Sequence, residues 1–76
     1  MAKGSKKAVE GVYRVIDVVG SSATSWEDAA SNAVATASKS IRDLRIAEVT
    51  KLDVRVDNGK VVAYRTRLQL SFKYES

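Results

Sequence analysis

One stretch of this chain, Ser25 to Leu44, carries helical periodicity, and nearly everything around it alternates. A fold built from it has a single helix with which to cover a whole sheet. Ala30, Ala33, Val34, Ala37, Ile41 and Leu44 recur at the spacing of one helical face, so the apolar stripe is narrow and mostly small. Such a face lets a sheet approach closely. Ser25 offers its hydroxyl to the unpaired N–H groups of the first turn and Asp28 follows three residues later, the pattern of a capping box; Thr24 with Glu27 is an equally good reading. Lys39 and Arg42 suit the negative end of the dipole, and no Gly or Pro interrupts the run.

Val12 to Val19 is β-branched and aromatic and ends at Gly20-Ser21-Ser22, which reads as a strand followed by a turn. Gly20 ahead of a helix is a weak phosphate-binding signal, since it lacks a glycine-rich spacing and a following Lys. After Leu44 the period becomes two. Ile46, Glu48, Thr50, Leu52, Val54 and Val56 fall on one side, with Ala47, Val49, Lys51, Asp53 and Arg55 on the other. In the last strand Val62, Tyr64, Thr66, Leu68, Leu70, Phe72 and Tyr74 share a face, opposite Arg65, Arg67, Gln69, Ser71 and Lys73.

Asp57-Asn58-Gly59 marks the turn between these strands. A three-residue loop pairs Val54 with Val62 and Leu52 with Tyr64, whereas a two-residue Asn58-Gly59 loop sets Leu52 and Val54 on a face with Arg65 and Ala63; face matching favours the former. The order β-α-β-β, with a right-handed crossover, leaves a gap between strands one and two for an antiparallel strand three. The expected fold is an α+β subunit with a three-stranded antiparallel or mixed sheet, order 1-3-2, wrapped on one helix.

A helix of about 18 residues is roughly 27 Å long, and strands of about 13 residues extend roughly 43 Å. The sheet overhangs its cover. Large apolar side chains at Leu68 to Phe72 or Ile46 to Leu52 would then face water unless another copy covers them, each burial being worth about 1.5–3 kcal/mol. Length points the same way, because a chain of 76 residues has room for one small, marginal core. With no Cys and no His, disulfides are excluded as staples and transition-metal sites are disfavoured. Self-association or an oxygen-ligated ion remains. The absence of Cys fits a cytoplasmic location; no apolar run approaches a membrane span, and Met1 to Gly11 has no signal-peptide core.

The net charge of +4 suggests nucleic acid as a partner. Its distribution weakens that reading, since Lys3, Lys6 and Lys7 against Glu10 place half of the excess in residues 1–11, which read as a flexible basic tail. Arg55, Arg65 and Arg67 on a strand face have no aromatics interleaved among them. An enzyme has less support, because no His or Cys is present to act as a base or nucleophile near neutral pH and no acid pair has helix spacing beside a glycine-rich loop. Asp17, Glu48 and Asp53 are candidate ligands for a divalent cation, whose six to eight oxygens no single segment supplies; the competing reading pairs each acid with a cross-strand base, Asp53 with Arg65 for instance.

The run VYRVIDVVGSSATSWEDAASNAV, the segment LRIAEV and the ending GKVVAYRTRLQLSFKYE together resemble the dodecins, over residues 12–75. The resemblance implies a β-α-β-β subunit, twelve of which build a hollow shell. It also implies storage or buffering of flavin, bound in pairs at subunit contacts, and no catalysis. At three pocket positions this chain departs from the flavin-binding pattern. Ile46 stands where a Trp stacks on the flavin, Arg65 where a Gln bonds its pyrimidine edge, and Asp53 where bacterial members place an Arg for the phosphate. The pattern is similar to a flavin-free branch of the family in which calcium is bound. The expectation is a non-catalytic homododecameric shell with its flavin site lost, and with calcium or another divalent cation held by Glu48 or Asp53. Ordinary flavin sequestration is the alternative, with nucleic-acid binding behind it. Trp26, in the first helical turn, reads as a packing residue.

Overall fold

A computed structural model describes residues 11–73. The elements are β1 (Tyr13–Ser22), α1 (Trp26–Ser38), β2 (Leu44–Asp57) and β3 (Lys60–Lys73). The sheet has the expected order, β1-β3-β2, with both pairings antiparallel. Most of the expected tail, and Tyr74, lie outside the described residues.

Ser25 is the N-cap, its Oγ accepting the Asp28 N–H at 3.0 Å. The reciprocal half of the capping box does not form. Asp28 instead accepts the Ser22 hydroxyl at 2.7 Å, and that hydroxyl in turn takes the Thr24 N–H at 2.9 Å. One buried serine thus ties the end of β1 to the start of α1.

The helix is shorter than expected. It stops at Ser38, where Ser40 and Ile41 both donate their N–H to the Ala37 carbonyl, and Asp43, at φ 58°, turns the chain into β2. Ser38, Lys39 and Ser40 are a poor continuation, because serine competes for backbone groups in non-helical conformations. Lys39 is therefore the C-cap and Arg42 lies beyond the helix, so the last turn carries no basic residue. Ile41 and Leu44 still reach the core formed by Ala33, Leu68 and Leu70.

β1 also continues past its expected end, through Gly20 to Ser22. Gly20 is not a turn residue. It lies opposite Thr66 within the sheet, under Ala29 and Ala33 of the helix. At 13 residues α1 is about 20 Å long, against about 48 Å for each 14-residue strand. It packs over β1 and β3 and barely touches β2. Leu68 and Leu70, two of the expected overhanging residues, are buried beneath it, whereas Val49 and Leu52 on β2 stay 50% and 52% exposed.

The hairpin corrects the expected loop. Asp57 pairs with Lys60 around Asn58-Gly59, whose φ values of 52° and 76° suit a two-residue turn. The faces match anyway because Val62 is an extra residue: Val56 pairs with Val61, but Arg55 pairs with Ala63 and Val54 with Tyr64. A second irregularity leaves Thr50 unpaired between Val49, opposite Leu68, and Lys51, opposite Arg67; a third falls at Arg45. The irregularities at Thr50 and Arg45 each exchange the faces of β2. Ala47 and Val49 consequently join Leu52 on the helix side, where they line clefts with Ala30 and Val34. Ile46 and Glu48 join Lys51 and Asp53 on the side away from the helix, the outer face.

Candidate functional site

The pairing of Asp53 with Arg65 is the most defined polar geometry on the outer face. The two stand directly opposite in the β2–β3 ladder. Arg65 donates from Nε to Asp53 Oδ1 at 2.7 Å and from Nη2 to Oδ2 at 2.9 Å, a two-pronged bond that occupies both carboxylate oxygens. Behind it Trp26 donates its indole N–H to the Asp53 carbonyl at 3.0 Å and meets Tyr64 edge to face at 5.2 Å. Trp26 is thus a packing residue, as its position in the first turn suggested, and it anchors the backbone of the candidate site.

The hydrogen bond from Arg65 holds the Asp53 carboxyl below its ordinary value; desolvation opposes it, the charges of Arg65 and Arg67 add to it, and Arg65 is raised in return. Because the folded-state value is depressed, the contribution is complete at neutral pH and is lost as pH falls through the carboxylate range. Both side chains are about half exposed, so stability changes little. The expected result is local: in a pH titration, the Asp53 carboxyl resonance moves at lower pH in the native protein than in Arg65→Gln.

Ile46 lies opposite Ser71, 59% exposed. Ser71 and Arg65 stand six positions apart on β3, roughly 20 Å along the strand. One chain therefore does not bring Ile46 together with Asp53 and Arg65. Glu48 lies opposite Gln69, with Asp17 on the far side of the same glutamine, so the three form one row across the sheet. Strict alternation would set Glu48 and Asp53 on opposite faces, and the extra residue at Thr50 puts them on the same one. Among the described residues, no three of Asp, Glu, His and Cys cluster closely enough to hold a metal ion. None of the helices in the described residues is long and apolar enough to cross a membrane.

Two features escaped the sequence reading. One is the contact of Trp26 with Tyr64 and Asp53, which joins residues far apart in the chain. The other is an apolar cleft of about 370 Å³ between α1 and β2, lined by Ala30, Val34, Ala47, Val49 and Leu68 among others. Its signal was the spacing of Val49 and Leu52, three apart inside a strand.

This architecture has known counterparts. Residues 12–75 match the family model described as dodecin. A calcium dodecin from Mycobacterium tuberculosis is 48% identical over 62 residues, 82% of this chain and 87% of the relative. A solved structure of dodecin from Streptomyces coelicolor superposes with a TM-score of 0.81 at 37% identity, covering 86% of this chain and 93% of that one. The solved calcium dodecin of M. tuberculosis, described as calcium-chelating, gives 0.76 at 47% identity over 84% and 91%. The chain belongs to the dodecin family.

Proposed function

We propose that this protein is a non-catalytic, twelve-copy binding shell of the dodecin type that has lost the flavin pocket and binds a divalent cation through carboxylates. The observation that carries the reading is the closed Arg65–Asp53 pair. The pair neutralises the charge of Arg65 and turns its Nε–Nη2 edge onto Asp53, which weakens its grip on a flavin edge or a phosphate. Ile46 offers no aromatic platform. The outer face has no Trp among its described residues, so the donor set does not fit flavin.

Oxygen donors do fit a hard cation. Glu48 makes no ion pair among the described residues, since those pairs are Arg45–Asp43 and Arg65–Asp53. That makes Glu48 the stronger ligand candidate and Asp53 the weaker. Ca²⁺ takes six to eight oxygens, so copies related by symmetry supply the rest. The calcium-binding relative at 48% identity supports the choice of cation.

Calorimetric titration of metal-stripped protein with Ca²⁺ tests the cation. Heat and a raised melting temperature are expected, because a ligand that prefers the native state stabilises it, and Glu48→Gln should weaken both. Absence of heat and of any melting shift at millimolar Ca²⁺ would overturn that part. For the flavin pocket, wild type should be colourless, and Ile46→Trp should bind riboflavin at least about ten-fold more tightly, since a stacking ring contributes on the order of 1–3 kcal/mol. Equal quenching of flavin fluorescence by the two proteins would refute the loss of the pocket.

A further inference from the structure

The helix stops short of its sheet, and the space it leaves is basic. α1 ends at Ser38 and the chain crosses to β2 through residues 39–43, while β1 and β3 extend beyond the helix to Tyr13 and Lys73. Between that crossing and the strand ends lies a cleft of about 370 Å³, lined by Arg14, Ser40, Ile41, Arg42, Phe72 and Lys73. Arg14 and Phe72 stand opposite each other in the β1–β3 ladder, and the Arg14 guanidinium lies over the Phe72 ring, 6.0 Å from its centre. That is the outer reach of a cation–π attraction, and it favours one placement of the guanidinium along the wall of the cleft.

Every charged residue in this lining is a cation. Among the described residues the ion pairs are Arg45–Asp43 and Arg65–Asp53, so Arg14, Arg42 and Lys73 have no carboxylate within ion-pair distance. Asp43, next to Arg42 in the chain, is drawn to Arg45 instead. The C-terminus of α1 carries about half a negative charge, which offsets only a fraction of three positive ones. A concave surface lined by one sign of charge concentrates counter-ions of the other.

We infer that this cleft binds a small organic dianion, a phosphate monoester carried on a compact aromatic or apolar body. Guanidinium forks suit phosphate oxygens. Lys73 adds an ammonium, and the Ser40 hydroxyl, held by the Ala37 carbonyl only at 3.5 Å, adds a further donor. Ile41 and Phe72, both half-buried, give the body an apolar surface. Charge favours phosphate over carboxylate, since a phosphate monoester carries close to two negative charges at neutral pH and a carboxylate one. The cleft lies at the lower end of the size range of small-molecule pockets, with room for more than inorganic phosphate. It is separate from the Asp53–Arg65 pair, because Phe72 is seven positions from Arg65, roughly 23 Å along β3, and on the helix side of the sheet. Its occupancy is independent of any cation bound through Glu48 or Asp53.

Calorimetric titration of the full-length, metal-stripped protein with phenyl phosphate, in buffer free of phosphate and chelator, tests this. Saturable binding with a Kd of about 1 mM or tighter is expected at low salt, weakening as salt is raised. Phenol and inorganic phosphate should each bind at least about ten-fold more weakly, because each lacks half of the ligand. Arg14→Gln with Arg42→Gln should weaken phenyl phosphate by about ten-fold or more, with the circular dichroism and the mass by light scattering unchanged. Arg55→Gln with Lys60→Gln, which removes the same charge at the hairpin end, should leave the affinity as in wild type. No saturable heat up to about 10 mM phenyl phosphate, or equal weakening by the two double variants, would overturn the site. So would a loss of mass in the Arg14→Gln, Arg42→Gln protein, which would assign the cleft to a contact between copies. Sedimentation with phosphatidate vesicles without binding of soluble phenyl phosphate would place the phosphate in a lipid headgroup and overturn the small-molecule assignment.

Discussion

Gly20→Ala is expected to be among the most damaging single-methyl changes available to this protein. A Cβ at position 20 would stand 2.0 Å from the carbonyl oxygen of Ala29 and 2.9 Å from the Ala33 side chain. The first of these is helix backbone and cannot swing aside, so α1 would have to lift off the sheet. Overpacking costs about 1–3 kcal/mol where side chains can adjust, and more where they cannot. The helix has no other sheet to rest on, and Ala29 and Ala33 are its two buried residues. A loss of at least about 3 kcal/mol lowers the melting temperature of a domain this size by more than about 10 °C. A thermal scan within a few degrees of wild type would show that the helix is not seated as described. Ala33→Gly, which enlarges the gap and adds no contact, should cost far less than Gly20→Ala.

Leu70→Asp is the second large effect. Leu70 is fully buried at the centre of the core with Leu68 and Ala33, and nothing beside it could pair with a carboxylate. An unpaired charge there costs several kcal/mol or forces the group to stay protonated. Set against a total of about 5–15 kcal/mol, and less for a core this small, that should unfold the chain and abolish any assembly. Far-UV circular dichroism and light scattering together read both. Because Leu70 lies beneath the helix of its own chain, the variant should fail to fold at all, not merely fail to assemble. A folded monomer would mean that Leu70 belongs to a contact between copies.

The helix start, the three strands and their order were legible because each rests on a local signal or on sheet chirality. Ser25, the apolar spacing from Ala30 to Ala37 and the alternation from Tyr64 to Phe72 all stand where the pattern puts them. The failures lie where one extra residue changes the phase. In β2 the strict alternation splits Ala47 and Val49 from Leu52 and Val54, yet all of them are apolar and belong on one side. That conflict was the trace of the irregularity at Thr50, and reading through it misplaced Glu48 relative to Asp53. The hairpin shows the same effect. A two-residue turn and the extra Val62 together give the face matching that a three-residue loop was invoked to explain. The helix C-terminus was overread because Ile41 and Leu44 keep helical spacing to the core while the backbone between them has already turned. The Arg65–Asp53 pair was legible as a cross-strand neighbour, since the alternation of β3 and the face of Asp53 fixed both. The distance of Ile46 from it was not, because that depends on register along the whole strand.

The account rests above all on assembly, because the apolar side chains left exposed on β2 and the proposed sharing of cation ligands between copies both call for further chains. Multi-angle light scattering of the purified protein at physiological salt measures it directly. Twelve copies of an 8.3 kDa chain give a mass of about 100 kDa, which is the predicted result and should persist on dilution. A mass equal to one chain, or to two, would contradict it.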